Sequence, residues 1–286
     1  SYDITTQVLV ITVASITGSG TSTNWRIGSL EFRYEFDPVT LAPIGGLVEG
    51  GATNLFTGSD GNAATYTLSN VVAAASPISG FQNAMQFGDN SVQRSAAKGS
   101  FIPVIGQVYT ISAYIQMDDG GVPVPSSSTI SGDFTLYVGN TTVSSGIKVE
   151  AVGGGVYRCS SIVTPIAATV SGIIKYVGQS ARGFRVTGVQ AEIGSIATSY
   201  IPTTTVSVTR AADQLSVGGT NFSQFYNQAQ GTLVMELTPI AQAVGAVAGS
   251  LNDGTLNNDI RIQQKQSGTL SSIRKMATDG VTDVMA

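Results

Sequence analysis

Three aromatic residues are the side chains of this sequence best suited to binding a sugar. Tyr114 and Tyr137 fall on the polar phase of two alternating segments, and Trp25 lies in a Ser/Thr-rich stretch. Flat rings bind the C–H faces of pyranoses, while neighbouring polar groups bind the hydroxyls. The two tyrosines therefore predict a stacking platform, unless each packs at a subunit interface or under a loop, where tyrosine is also enriched. Trp25 fits a sugar contact and a packing anchor equally well.

The carboxylates suggest two other kinds of chemistry. Glu35 and Asp37 lie on one face of a predicted strand, about 7 Å apart, which is the spacing of an inverting glycosidase. A solvated face on which Arg33 pairs across strands explains the same pattern, and we favour it. Asp118 and Asp119 precede two glycines, which suits either a Ca²⁺ loop or a plain turn; we expect the turn, because further acids are missing nearby. We assign no catalytic residue and no metal ligand.

The sequence contains no histidine and a single cysteine, Cys159. Histidine bases, Ser–His or Cys–His pairs, histidine-ligated metals and a disulfide within the chain are thereby excluded. Cys159 stands in a strand-like run and is expected to be a buried, inert thiol. We expect a protein that is not an enzyme and has no cofactor.

Composition and charge narrow the class further. Charged residues make up 11% of the 286 residues and the net charge is −4, so a surface built from Ser, Thr, Asn, Gln and Gly is expected. Without a Lys/Arg cluster, this charge argues against nucleic acid and against anionic membranes as partners. The apolar run Val8–Ile16 is far shorter than the ~20 residues of a membrane-spanning helix. Mean hydropathy of +0.20 supplies enough apolar material for a core.

Short β-branched and aromatic segments, separated by Gly, Ser, Asn and Pro, dominate the chain and predict an all-β sandwich or barrel. The segment Leu30–Asp37 alternates apolar and charged residues, which is the period of a strand. The single predicted helix is Asn221–Ala229. The other predicted strands are Val8–Val13, Tyr109–Met117, Phe134–Val138, Val156–Val163, Ile173–Val177 and Phe184–Ile193.

Two sequence blocks, about 150 positions apart, carry a family resemblance. The first consists of RYEFDPVT at 33–40 and GLVEGGATNL at 46–55; the second consists of GVQAEIG at 188–194, ATSYIPT at 197–203 and VTRAAD at 208–213. Together they resemble a carbohydrate-binding-like jelly-roll module of tail-fibre and other virion proteins of tailed bacteriophages. The run GTLVMEL at 231–237 resembles the first strands of a concanavalin-like, laminin-G-like sandwich that often follows this module.

The sequence departs from that family at two positions. Ala52 stands where an arginine is usual, which could remove a structural salt bridge. Val156 stands where a tryptophan is usual, before Tyr157 and Arg158, so an aromatic contact at that strand is missing.

The resemblance, with the strand pattern, predicts three regions. They are an N-terminal β arm at 1–44, a jelly roll at 45–205 and an incomplete laminin-G-like segment at 206–286. Because only about 80 residues follow Val206, fewer than such a sandwich needs, we expect a piece of a longer polypeptide or a tail that pairs with other chains.

The function implied by the resemblance is that of a non-catalytic structural component of a tailed-phage virion. A tail fibre or surface appendage that adheres to host glycans is the favoured role. A capsid or neck decoration protein without glycan binding, and the non-catalytic part of a polysaccharide-degrading tailspike, are the alternatives. The expected location is the virion. The expected partners are further copies of the chain, as a homotrimer, other virion proteins through residues 1–44, and a host polysaccharide.

Overall fold

The computed structural model describes residues 2–3, 8–9, 33–36, 42–98, 101–126, 131–139, 141–142, 147–213, 247–252, 259–267 and 270–278. Over these residues the chain is all β, and its one helical piece is a 3₁₀ turn at Ala63–Thr65. The predicted fold class is confirmed. The predicted helix Asn221–Ala229 lies outside the described residues, as do the middle of the predicted N-terminal arm and Trp25. No helix in the described part of the chain has the length and apolar character needed to cross a bilayer.

The strands are numbered in chain order. They are β1 (Tyr2–Asp3), β2 (Val8–Leu9), β3 (Arg33–Phe36), β4 (Pro43–Leu47), β5 (Ala52–Asn54), β6 (Thr67–Ser69), β7 (Val72–Ala73), β8 (Met85–Phe87), β9 (Arg94–Lys98), β10 (Tyr109–Met117), β11 (Thr135–Val138), β12 (Thr141–Thr142), β13 (Lys148–Gly153), β14 (Val156–Val163), β15 (Ser171–Lys175), β16 (Phe184–Ile193), β17 (Val208–Arg210), β18 (Val247–Asn252), β19 (Asp259–Ser267) and β20 (Leu270–Thr278).

The chain divides into two compact units. One unit is Ile27–Ser216, and the other combines Ser1–Arg26 with Val217–Ala286. In the second unit β1 pairs with β2, and β18, β19 and β20 form an antiparallel three-stranded sheet. The predicted divisions after residues 44 and 205 stay predictions, although β17, just beyond the latter, pairs with β5 of the larger unit.

The larger unit is a β-sandwich. Its six-stranded sheet has the order β13-β14-β10-β16-β8-β7, and its five-stranded sheet has the order β12-β11-β15-β9-β6. All pairs in both sheets are antiparallel. Two-stranded sheets β3-β4 and β5-β17 complete the unit.

The core lies between the two sheets because alternate residues of each strand are apolar. On β10 the inward residues include Ile111, Ile115 and Met117, all buried. They pack in one cluster with inward residues of the other sheet, such as Leu136 and Ile173. The three long predicted strands, β10, β14 and β16, have the predicted bounds, since their alternation is long enough to define a face.

The prediction that Cys159 is buried is confirmed. Cys159 is fully buried in the core, and burial raises the pKa of its thiol to about 12. The thiol is therefore protonated at neutral pH and has no nucleophilic character.

The outer face of the six-stranded sheet carries the even-numbered residues of β10, which include Ser112, Tyr114 and Gln116. Their cross-strand partners share this face, so Arg158 of β14 lies directly beside Tyr114, and Glu150 of β13 lies beside Arg158. We call this surface the polar face. Two loops, residues 74–84 and 194–204, contact it from outside, and the candidate site lies where they meet it.

Candidate functional site

The two sequence blocks that carry the family resemblance are joined in the structure. Strand β5 of the first block pairs with β17 of the second, and the hydroxyls of Thr53 and Thr209 lie 2.8 Å apart. Asn54, fully buried, donates to the carbonyl of Ile201 at 2.8 Å and accepts from the amides of Phe56 and Ala191. The blocks therefore act as a structural junction that holds the 194–204 loop.

An ion pair lies beside Ala52, the first position at which the sequence departs from the family that it resembles. Arg210 is the cross-strand partner of Ala52, and its Nη1 lies 2.7 Å from Oε2 of Glu49. The other oxygen of Glu49 accepts from the amide of Ser199 at 2.8 Å. Glu49 thus ties β17 and the 194–204 loop together although position 52 is alanine. A shallow depression of about 290 Å³ lies beside Ala52, lined also by Thr53, Leu55 and Ile193.

The 194–204 loop is also bound to the polar face itself. The buried side chain of Gln190 accepts from the amide of Ile201 at 2.7 Å. The carboxylate of Glu192 accepts from the amide of Thr198 at 3.1 Å and from its hydroxyl. These bonds fix Tyr200 above the centre of the sheet.

Tyr114 is half-buried on the polar face, as its phase in the sequence predicts. Its ring contacts Phe81 of the 74–84 loop, with centroids 5.0 Å apart, and Tyr200, with centroids 5.9 Å apart. Phe81 and Tyr200 are themselves 5.4 Å apart. The three half-buried rings, called here the aromatic cluster, are the flat apolar surface nearest to the polar groups of this face.

Burial raises the pKa values of both tyrosines in the cluster above the ordinary value of a phenol. It raises the pKa of Tyr114, against the opposing effect of Arg158, and raises that of Tyr200 to about 12. The Tyr200 hydroxyl shares a hydrogen bond of 2.7 Å with Ser59. Both phenols stay neutral at physiological pH and can donate or accept hydrogen bonds.

A backbone irregularity positions the Tyr114 ring. The register of β10 and β16 shifts between the Ser112 and Tyr114 pairs, and Gly188, in this bulge, has φ of +56°. A Cβ atom at Gly188 would lie 2.7 Å from Cδ2 of Tyr114. The bulge and the absent side chain therefore give the ring its place.

Polar groups surround the aromatic cluster. Arg158 lies with Cζ 5.6 Å from the Tyr114 ring centroid and donates through Nη2 to the Ser112 hydroxyl at 3.1 Å. Gln116, on the other side of Tyr114, donates to the carbonyl of Gly154 at 3.2 Å. Flat rings beside amide and guanidinium donors can bind a pyranose by stacking and hydrogen bonding.

Tyr137 does not join this site. It lies on β11 of the five-stranded sheet, is 6% exposed, and has a pKa raised to about 12 by burial. The platform predicted from Tyr114 and Tyr137 is therefore not formed. Alternation along a strand predicts which face of that strand each residue occupies. It does not predict which of the two sheets the strand joins.

Phe81 and Tyr200, the other members of the cluster, were not predicted from the sequence. Both lie outside strands, so no alternation marks them. Tyr200 stands within the second resemblance block, and this position was the available signal. Trp25 lies outside the described residues.

At the second family departure, Val156 is buried on the polar face. It packs in a small apolar cluster with Ile78 and Ala84, and Phe81 and Tyr114 pack against this cluster. A small side chain here accommodates Ile78 of the 74–84 loop.

The Asp118–Gly121 segment is the expected turn. The amide of Gly120 donates to the carbonyl of Met117 at 3.1 Å, and the Arg182 guanidinium binds Asp119 at 2.6 Å. That hydrogen bond, followed by one from the Gly121 amide, lowers the pKa of Asp119 to about 2. Among the described residues no cluster of three or more cysteine or acidic side chains is arranged to hold a metal ion. Of the two carboxylates with the spacing of an inverting glycosidase, Glu35 and Asp37, the second lies outside the described residues.

Neither the family models nor the curated proteins gave a match to this chain. Among solved structures, it is similar to the CBM22-1 xylan-binding domain of Paenibacillus barcinonensis Xyn10C, with 12% identity and a TM-score of 0.34, over 53% of this chain and 100% of that one. It is similar to the CBM22-1 and GH10 modules of Clostridium thermocellum Xyn10B, solved with xylohexaose, at 12% identity and a TM-score of 0.31, over 54% of this chain and 30% of that one. The tripod of the bacteriophage Tuc2009 baseplate is similar at 13% identity and a TM-score of 0.26, over 80% of this chain and 97% of that one.

Proposed function

We propose that this chain is a non-catalytic structural component of a tailed-phage virion, a tail fibre or surface appendage, whose β-sandwich adheres to host-surface glycans. The virion assignment rests on the two resemblance blocks, 33–55 and 188–213. Glycan adhesion rests on one observation. The aromatic cluster of Phe81, Tyr114 and Tyr200 lies half-exposed on the polar face beside Arg158 and Gln116.

The geometry of the cluster suits binding rather than hydrolysis. Rings held by a sheet and two hydrogen-bonded loops need little ordering when a sugar stacks on them, so less conformational entropy is lost. A hydrolase of glycans would need two carboxyl groups facing one bond. The carboxylates near the cluster, Glu49, Asp60, Glu150 and Glu192, are each bound to another residue.

The same proposal includes a homotrimer in the virion, attached to other virion proteins through residues 1–44. Only 11% of the residues of the chain are charged. A low charge favours association with further copies of the chain or with other virion proteins, because charged side chains oppose the association of protein surfaces.

A glycan array probed with the purified chain tests adhesion. The chain should bind a subset of bacterial surface glycans, and Tyr114→Ala should lower the affinity at least tenfold, since it removes the central ring of the cluster. Tyr176→Ala, at a half-buried tyrosine just beyond β15, is the matched control and should leave binding unchanged.

Two outcomes oppose the proposal in different ways. Absence of binding to every glycan would refute adhesion and favour a decoration protein. Imaging of intact virions with a specific antibody tests the location, and a particle without the protein would refute the virion assignment.

A further inference from the structure

The polar face holds a cation that has no anionic partner among the described residues. Arg158 stands in the middle of β14, beside Tyr114 on one side and Glu150 on the other. Its Nη2 donates to the hydroxyl of Ser112 and to the carbonyl of Thr198, which fixes the plane of the guanidinium. Its Nε is buried and makes no hydrogen bond within the described residues. Its Nη1 also makes no hydrogen bond within the described residues, but Nη1, unlike Nε, is not among the buried atoms. The two N–H groups of Nη1 therefore remain available to a ligand.

The carboxylates around Arg158 are already bound by other groups. Glu150 lies 2.6 Å from the ammonium of Lys148, and Glu49 pairs with Arg210. Glu192 accepts from Thr198. Asp60, near the same end of the cluster, accepts from the side-chain amide of Asn83 at 2.6 Å. None of them lies within ion-pair distance of Arg158.

A second arginine lies on the polar face. Arg185 of β16 is the cross-strand partner of Gln116, and its Nη1 donates to the carbonyls of Ser76 and Pro77 at 3.3 and 3.4 Å. It too has no ion pair within the described part of the chain. An anionic ligand at this face would therefore meet two arginines whose charges are not paired with a carboxylate within the described residues.

We propose that the glycan bound at the aromatic cluster is acidic, and that Nη1 of Arg158 binds the carboxylate of a uronic or sialic acid residue. This inference rests on the proposed glycan adhesion. A half-buried guanidinium without a counter-charge is unfavourable, and a ligand carboxylate would supply one through a charge-assisted hydrogen bond. A neutral sugar offers only hydroxyls, which accept the hydrogen bond but leave the charge uncompensated. The ring of the same sugar would lie on Tyr114, 5.6 Å from the guanidinium carbon.

Saturation-transfer NMR with simple glycosides tests this specificity on the full chain. The probes are methyl β-D-glucuronide and the methyl glycoside of N-acetylneuraminic acid, compared with methyl β-D-glucoside and methyl β-D-galactoside. The chain should bind at least one acidic probe fivefold or more tightly than either neutral probe. Raising the salt concentration from 50 to 500 mM should reduce this preference, as expected for a partly exposed ion pair.

Four variants separate the contributions. Arg158→Gln should bring the affinity for the acidic probe down to that for the neutral probes, and Arg158→Lys, which keeps the charge, should retain part of the preference. Arg185→Gln removes an equal charge from the same face without touching Tyr114, and should cost less than threefold. Tyr114→Ala should abolish binding of both classes. Thermal unfolding of each variant shows that it is folded.

The possible results are distinguishable. Equal binding of acidic and neutral probes, still lost in Tyr114→Ala, would overturn the acidic specificity and leave glycan adhesion intact. An acidic preference unchanged in Arg158→Gln would overturn the role of Arg158. Binding of no probe, together with an empty glycan array, would overturn adhesion and this inference with it.

Discussion

Single buried polar side chains hold the candidate site together. Asn54 is the clearest case, because one amide group satisfies three backbone groups from three different segments. The side chain of Gln190 holds the 194–204 loop by accepting a hydrogen bond from the amide of Ile201. The resemblance blocks are thus rich in residues that join distant parts of the chain rather than residues that contact a ligand.

Asn54→Ala should lower the free energy of unfolding by about 3 kcal/mol. The substitution leaves the carbonyl of Ile201 and the amides of Phe56 and Ala191 buried without that partner, at about 1–3 kcal/mol for each group left unsatisfied. Equilibrium denaturation in urea measures the loss. Gln82→Ala, at an exposed side chain of the 74–84 loop, should change stability by less than about 0.5 kcal/mol. A loss in Asn54→Ala no larger than in this control would contradict the junction.

The bulge in β16 controls the position of the central ring. The bulge brings Gly188, which has no side chain, against the Tyr114 ring. Gly188 has a positive φ and lies against Tyr114 and Phe81. A local backbone feature therefore determines how the aromatic cluster is exposed.

Gly188→Ala should destabilise the chain by about 3 kcal/mol. The left-handed conformation costs a non-glycine residue roughly 1–2 kcal/mol, and the new Cβ would lie 2.7 Å from the Tyr114 ring. Gly154→Ala isolates the first contribution, because Gly154 has φ of +60° and nothing within 4 Å of its Cβ position. Urea denaturation should give a clearly larger loss for Gly188→Ala. Equal losses of unfolding free energy in the two variants would mean that the Tyr114 ring can move away from the new Cβ without a measurable cost.

At the scale of the whole molecule, three described segments without charged residues meet at one end of the sandwich. Hydrogen bonds from Gly106 to Pro165 and from Gly194 to Val108 bring three segments together there. Residues 101–110, 162–174 and 193–209 contain no Asp, Glu, Lys or Arg. The large aliphatic residues exposed by more than half in these segments are Ile102, Val104, Ile105, Ile162, Ile166, Ile193 and Val206. Exposed apolar patches of this kind mark interaction surfaces.

We expect the proposed homo-oligomer to form through this end, because association would remove its exposed aliphatic side chains from water. Ile105→Asp or Ile166→Asp should then shift the chain to monomers in analytical ultracentrifugation at micromolar concentration. Val122→Asp adds the same charge at an exposed residue of the loop beyond the other end of β10 and should leave the assembly unchanged. A monomer in the unsubstituted chain, or an oligomer that survives both substitutions, would refute this surface.

The sequence by itself determined the fold class and the central strands. Alternation over eight or more residues, as in β10, β14 and β16, is a property of the local chain, so it indicates both the strand and the buried face. It also placed Tyr114 on the polar side. Strands of two to five residues, such as β6, β7 and β9, escaped prediction. They contain Ala, Ser and Thr with little pattern, and their pairing with neighbours defines them.

The tertiary structure alone decided what surrounds Tyr114. Phe81 comes from a loop before β8 and Tyr200 from a loop after β16, and no local pattern relates either to β10. The sheet order, which places Tyr137 in the other sheet and Arg158 beside Tyr114, depends on long-range pairing. Chain alternation specifies a side of a strand, whereas the neighbours on that side follow from which strands pair and in which register. The cluster and its unpaired cation could therefore be found only in the folded chain.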